Sequence, residues 1–103
     1  MIKSVSDNTF LDFCDRDVFG TRIKAYYNCY SSNYDFVNFW VQTDEDKIVS
    51  VISRIDSDIT VTSTGENSDE LKSFLQMIGF TSIQCEKRIA DKMNFKASMS
   101  GYV

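Results

Sequence analysis

Residues 36–63 read FVNFWVQTDEDKIVSVISRIDSDITVTS. β-Branched and aromatic residues crowd three runs, at 36–42, 47–55 and 59–63, with only the polar stretches TDEDK and DSD between them. Such residues fit a pleated, half-buried surface, and connectors this short make turns. The segment predicts a three-stranded antiparallel meander. Apolar side chains occupy both parities of the first two runs, so the sheet needs cover on both faces. The flanking sequence has to supply it.

The clearest helical pattern follows the third run. Leu71, Phe74, Leu75 and Ile78 fall at i, i+3, i+4 and i+7. Asn67 is placed to cap this helix, and Glu70 to reach back to it as in a capping box. Asp69 and Glu70 suit the positive end of the helix dipole, and Gly79 supplies a C-terminal stop. FTSIQCE (80–86) then reads as a strand. Strand, helix and strand in this order predict a crossover, with 59–63 and 80–86 parallel. The sheet is therefore mixed.

Upstream, IKSV (2–5) reads as a short edge strand. SDN (6–8) offers N-caps for a helical turn carrying Phe10, Leu11, Phe13 and Cys14. Asp15 or Asp17 caps a second helix, on which Phe19, Ile23, Tyr26, Tyr27 and Tyr30 form one wide apolar face. SSNYD (31–35) ends it. KRIADKMNF predicts a short helix and KASMSGYV a final strand. The 103 residues thus make one α/β domain in the order β-α-α-β-β-β-α-β, then a short helix and a possible strand.

Hydrophobic residues make 43% of the chain and aromatics 14%, enough for a core. The 15 acids outnumber the 11 bases, and the one basic grouping, Lys87, Arg88 and Lys92, is interrupted by acids. Nucleic acid is not an expected partner, because it calls for clustered cations. No run approaches the roughly 20 apolar residues of a membrane span, and MIKSVSDNTF holds no apolar signal core; the chain reads as cytoplasmic. It contains no histidine, so histidine triads and most zinc sites are absent. No cysteine pair has metal spacing, and no phosphate loop of the Gly-x-x-x-x-Gly-Lys type occurs. The acids at 44–46 and 56–58 lack the pattern of a calcium loop and read as solvated turns. No metal is expected.

Cys14, Cys29 and Cys85 read as reduced, buried thiols that serve as small core residues. Tyr26, Tyr27, Tyr30, Tyr34, Phe36, Phe39 and Trp40 read as a core between the second helix and the sheet. A peptide or ligand groove is the alternative use of so many rings. SMSGYV ends in an apolar run. That suggests the N-terminal piece of a longer protein, with a C-terminal domain or self-association to cover the exposed edge.

The element order, with ITVTSTGENSDELKSFLQMIGF (59–80), resembles the GNAT superfamily of acyl-CoA-dependent N-acyltransferases. FLDFCDRDVFGTRIKAYYNCY, ISRIDSDITVTS and DELKSFLQMIGFTSIQCE are similar to the N-terminal part of a group of GNAT-like bacterial proteins. The resemblance implies a three-layer fold. It also implies acyl-CoA held after the fourth strand, on a loop of the form Gln/Arg-x-x-Gly-x-Gly/Ala. On TSTGEN, Thr62 stands where Gln or Arg is usual, Gly65 matches, and Asn67 stands where a small residue is usual. The cofactor candidates are then Thr62, Ser63, Gly65, Asn67 and Ser68, with acetyl-CoA as ligand. No catalytic residue is assigned, Tyr102 included.

Glu66, Asp69 and Glu70 crowd the place a pyrophosphate would take, and like charges repel at close range. The same acids cap a helix well. Two functions follow. One is an N-acyltransferase domain that moves an acyl group from acyl-CoA to an amine. The other is a non-catalytic GNAT-like module for interaction or ligand recognition, packed on a C-terminal domain.

Overall fold

The computed structural model describes residues 1–5, 8–30 and 37–93. Within them five strands form one mixed sheet: β1 (Ile2–Ser4), β2 (Val37–Asp44), β3 (Lys47–Ile55), β4 (Asp58–Ser63) and β5 (Ser82–Gln84). Their spatial order is the chain order, β1 to β5. The first three pairings are antiparallel, and β4 pairs with β5 in parallel. The expected meander and the expected crossover are both present.

The β2–β3 hairpin is tighter than the sequence suggests, since pairing continues to Asp44 opposite Lys47. Glu45 and Asp46 make the turn with φ of 52° and 66°. Two positive φ values give the turn twist that matches a right-handed ladder. A register shift between Gln42 and Thr43 accompanies it. The β3–β4 turn likewise uses Asp56 at φ 55°.

Helices pack on both faces. A 3₁₀ helix (Thr9–Arg16) and α1 (Val18–Tyr30) cover one, while α2 (Ser68–Ile78) and α3 (Lys87–Lys92) cover the other. Phe10, Cys14 and Ile23 meet Phe39, Val41 and Val51 on the α1 face. Tyr27 lies edge-on to Phe10 and Phe39, with ring centroids 5.0 and 5.3 Å away. On the α2 face Leu71 and Leu75 join Ile52, Ile59, Val61 and Ile83, and α3 adds Ile89 and Met93.

Trp40 departs from the expected grouping. Strand alternation sends Phe39 and Val41 toward α1 and Trp40 the other way, where it packs edge-on against Phe74 at 5.1 Å. The apolar face expected on α1 divides into two rows. Phe19, Ile23 and Tyr27 face the core, while Arg22, Tyr26 and Tyr30, also four apart, lie beside them. Tyr34, Phe36, the SSNYD segment and the expected strand at 96–103 lie outside the described residues.

Asp17, not Asp15, caps α1: its Oδ1 accepts the Gly20 N–H at 2.7 Å. Asp15 instead pairs with Lys24 at 3.1 Å. At the head of the 3₁₀ helix Asn8 takes the cap position, but its side chain makes no cap bond. β5 is shorter than FTSIQCE implies, covering Ser82–Gln84 alone.

Candidate functional site

The loop from β4 to α2 has an unusual backbone, with Gly65 at φ 94° and Asn67 at φ 54°, ψ 43°. The five residues singled out in the sequence do not gather at one point. Thr62 and Ser63 are strand neighbours and so face opposite sides of the sheet. On the α1 side, Thr62 Oγ1 donates to Asp17 Oδ2 at 2.9 Å. On the α2 side, Ser63 Oγ accepts the Gly65 N–H at 3.0 Å. Asn67 contributes its carbonyl, which accepts from Gln42 Nε2 at 3.0 Å and from the Leu71 N–H at 3.2 Å. Ser68 opens α2.

The capping box expected for α2 is not formed. Asn67 stands at the cap, but its left-handed backbone carries no side-chain cap bond. Glu70 does not reach back either. Its Oε1 accepts from Gln42 Nε2 at 3.0 Å and from the N-terminal ammonium of Met1 at 2.9 Å. Those two hydrogen bonds, the ammonium's first, hold the Glu70 carboxyl below its ordinary range.

A buried polar chain therefore links the loop to the sheet. Gln42, Ser50 and Ser63 are almost fully buried, at 0%, 0% and 1% exposure. Ser50 Oγ lies 2.6 Å from Gln42 Oε1 and 2.7 Å from Ser63 Oγ. Gln42 Oε1 accepts only, so Ser50 gives it its one proton and Ser63 donates to Ser50. The relay runs from the Gly65 N–H through Ser63 and Ser50 to Gln42, then from the Gln42 amide to Asn67 and Glu70. Every member is satisfied, the condition under which a buried network rigidifies a fold instead of weakening it. Next door, the Glu66 N–H donates to Thr64 Oγ1 at 3.2 Å. The backbone amides of Gly65 and Glu66 are thus held by the hydroxyls two residues before them.

The β4–β5 ladder stops at Thr60 opposite Gln84. Past that point the edge of β4 meets two arginines. Arg16 Nη1 donates to the Ser63 carbonyl at 2.6 Å. Arg88, from α3, donates to the same carbonyl at 3.4 Å and to that of Thr64 at 3.2 Å. Glu86 lies between them, 3.1 Å from Arg88 and 3.9 Å from Arg16. Lys92 completes the cover. A Cβ built on buried Gly65 would stand 3.3 Å from three atoms of the Lys92 side chain. The sequence shows this assembly only in part: Arg88 and Lys92 stand in its one basic grouping, but Arg16 is far away in the chain and sits in no motif.

Cys14 and Cys85 are buried as expected, whereas Cys29 is exposed on the outer side of α1, which corrects the reading of three core thiols. Burial, then the nearby charges of Asp15 and Asp17, pushes the Cys14 thiol up to about 12. Burial likewise pushes Cys85 up to about 12. Neither forms a thiolate at neutral pH, so neither is a nucleophile. The native protein is expected to react with a thiol reagent at Cys29 alone. All three react in denaturant. Reaction of two or more thiols at comparable rates in the native state contradicts this burial.

No group of acids and cysteines able to hold a metal ion occurs among the described residues. No described helix is long and apolar enough to cross a membrane. Comparison of the chain with protein-family models, with curated proteins and with solved structures returned no match.

Proposed function

We propose that this chain is a GNAT-like domain that works as a non-catalytic module, recognising a ligand or packing on a partner domain, and not as an acyltransferase. Support for the kinship comes from helices on both faces of the sheet, the consecutive strand order, and the parallel step from β4 to β5. In such a fold the acyl-CoA would lie where β4 and β5 part, with its pyrophosphate on the following loop.

The observation that carries the non-catalytic reading is the state of that loop. Its Gly65 and Glu66 amides already serve Ser63 and Thr64, and Arg16 and Arg88 occupy the freed edge of β4. A cofactor would have to break these bonds. Leaving buried groups such as Ser63 unpaired costs about 1–3 kcal/mol each. Glu66 and Asp69 add repulsion toward a pyrophosphate. The test is calorimetric titration with acetyl-CoA. No saturable heat is expected at micromolar concentrations. A dissociation constant in the low micromolar range overturns this reading in favour of the acyltransferase, whose support is the parting of β4 from β5 and the glycine that follows.

A further inference from the structure

We propose that the free edge of β1 is a docking strip for an extended peptide, added as a further antiparallel strand, with an acidic residue between two apolar ones at its centre. β1 and β5 are the opposite edges of the sheet. The strip is therefore separate from the loop after β4 and stands whether or not that loop takes acyl-CoA.

The backbone is open at this edge. The Val5 N–H donates to the Phe39 carbonyl at 3.2 Å, and the Thr43 N–H to the Met1 carbonyl at 2.8 Å. Bonding to β2 thus falls on Met1, Lys3 and Val5, because successive residues of an antiparallel ladder turn their main-chain groups to opposite sides. The N–H and carbonyl of Ile2 and of Ser4 point away from β2. They meet no hydrogen-bond partner among the described residues. Each residue offers one donor and one acceptor, so a strand laid alongside gains main-chain bonds without breaking any bond of the fold. Main-chain bonds of this kind supply affinity when a peptide extends a sheet, and alternate side chains supply specificity.

The side chains set the pattern of the occupant. Register places Ile2 and Ser4 beside Gln42 and Trp40 on the α2 face, and Lys3 beside Val41 on the α1 face. α2 packs over Ile52, Ile59 and Val61 of β3 and β4, while Ile2, Trp40 and Phe74 at the margin toward β1 are only half-buried. Apolar side chains opposite Ile2 and Ser4 would complete that burial. On the other face Lys3 is exposed and has no hydrogen bond or ion pair with any described residue. In a strand paired through Ile2 and Ser4, the residue opposite Lys3 sits in a non-hydrogen-bonded pair, where facing side chains are closest. A carboxylate there answers the ammonium.

The same lysine disfavours two other occupants. A second copy paired through both Ile2 and Ser4 about a two-fold axis would set Lys3 against Lys3, and like charges directly opposite repel. Lysine on an edge strand commonly blunts such pairing. Residues 94–103 of this chain contain no acidic side chain. A peptide that carries the matching carboxylate is admitted where these are turned away.

The test is amide NMR of the protein titrated with the blocked peptide Ser-Thr-Val-Glu-Val-Thr-Ser. Saturable shifts are expected at residues 2–4 and 40–42, with a dissociation constant below about 1 mM. The same peptide with Lys in place of Glu should bind about tenfold more weakly, and Lys3→Glu should reverse that preference. Lys3 is exposed, so this variant keeps the fold. N-methylation of the two valines removes the donors to the Ile2 and Ser4 carbonyls and should abolish binding. No saturation below about 1 mM, equal affinity for the two peptides, or binding that survives N-methylation overturns the proposal. So does exchange of the Ile2 and Ser4 amides as slow as in β3 in the protein alone, because the edge would already be held. Slow exchange that depends on protein concentration would identify a second copy as the holder.

Discussion

Gly20→Ala is expected to cost the domain about 3 kcal/mol or more, although it replaces glycine with the best helix former. Propensity alone would favour the change by about 1 kcal/mol, because Gly20 lies within α1. Packing decides against it. At Gly20 the helix passes over the preceding 3₁₀ helix so closely that an added Cβ would meet the Cys14 backbone, with the carbonyl carbon at 2.7 Å and Cα at 2.8 Å. These are backbone atoms and cannot rotate away. Overpacking costs about 1–3 kcal/mol where side chains absorb it, and in this case α1 itself must move. That motion would pull Gly20 from its bond to Asp17 and Asp17 from Thr62. At about 4–8 °C per kcal/mol for a domain of this size, the melting temperature should fall by roughly 10–20 °C. A thermal melt followed by circular dichroism reads this. An unchanged or higher midpoint contradicts the close crossing of the two helices.

Leu75→Ala is the second large effect. Leu75 is fully buried between α2 and the sheet, among Ile52, Val61 and Ile83. Truncation removes apolar contact and leaves a cavity, at about 2–5 kcal/mol. Met77, two residues on, is 75% exposed, and Met77→Ala should stay within about 0.5 kcal/mol. Urea denaturation of the pair reads the orientation of α2 directly. Comparable losses for the two variants would mean that α2 is turned about its axis, with Leu75 no longer against the sheet.

Much of this architecture can be read from residue order. The meander, the parallel crossover, the stripe on α2 and a cap for α1 from Asp15 or Asp17 all rest on periodicity and local chemistry. The cap of α2 misleads because Asn67 and Glu70 have the right spacing for a capping box. The buried amide of Gln42 instead competes for Glu70 and for the Asn67 carbonyl. Gln42 itself sits in an apolar strand, and nothing local shows that its row holds Ser50 and Ser63. That alignment depends on register, and register depends on the tight turn at Glu45 and Asp46. Cys29 shows the limit of reading every unpaired cysteine as a small core residue. Tyr26, Tyr27 and Tyr30 already fill the arc facing the sheet, so residue 29 falls outside it. The candidate loop is visible as a glycine between a strand and a helix. Its occupation by Arg16, Arg88 and Lys92 is not, since the three converge only after folding.

The Gly65 and Glu66 amides already have partners and are not on offer to a phosphate. Amide hydrogen exchange at Gly65 measures that most directly. Gly65 is buried and its N–H is held by Ser63 Oγ, so it should exchange as slowly as the amides of β3. Ser63→Ala should release it toward the rate of an exposed amide. Exchange at an open-loop rate in the unmodified protein would contradict the non-catalytic reading, because the loop would then be free to receive a phosphate.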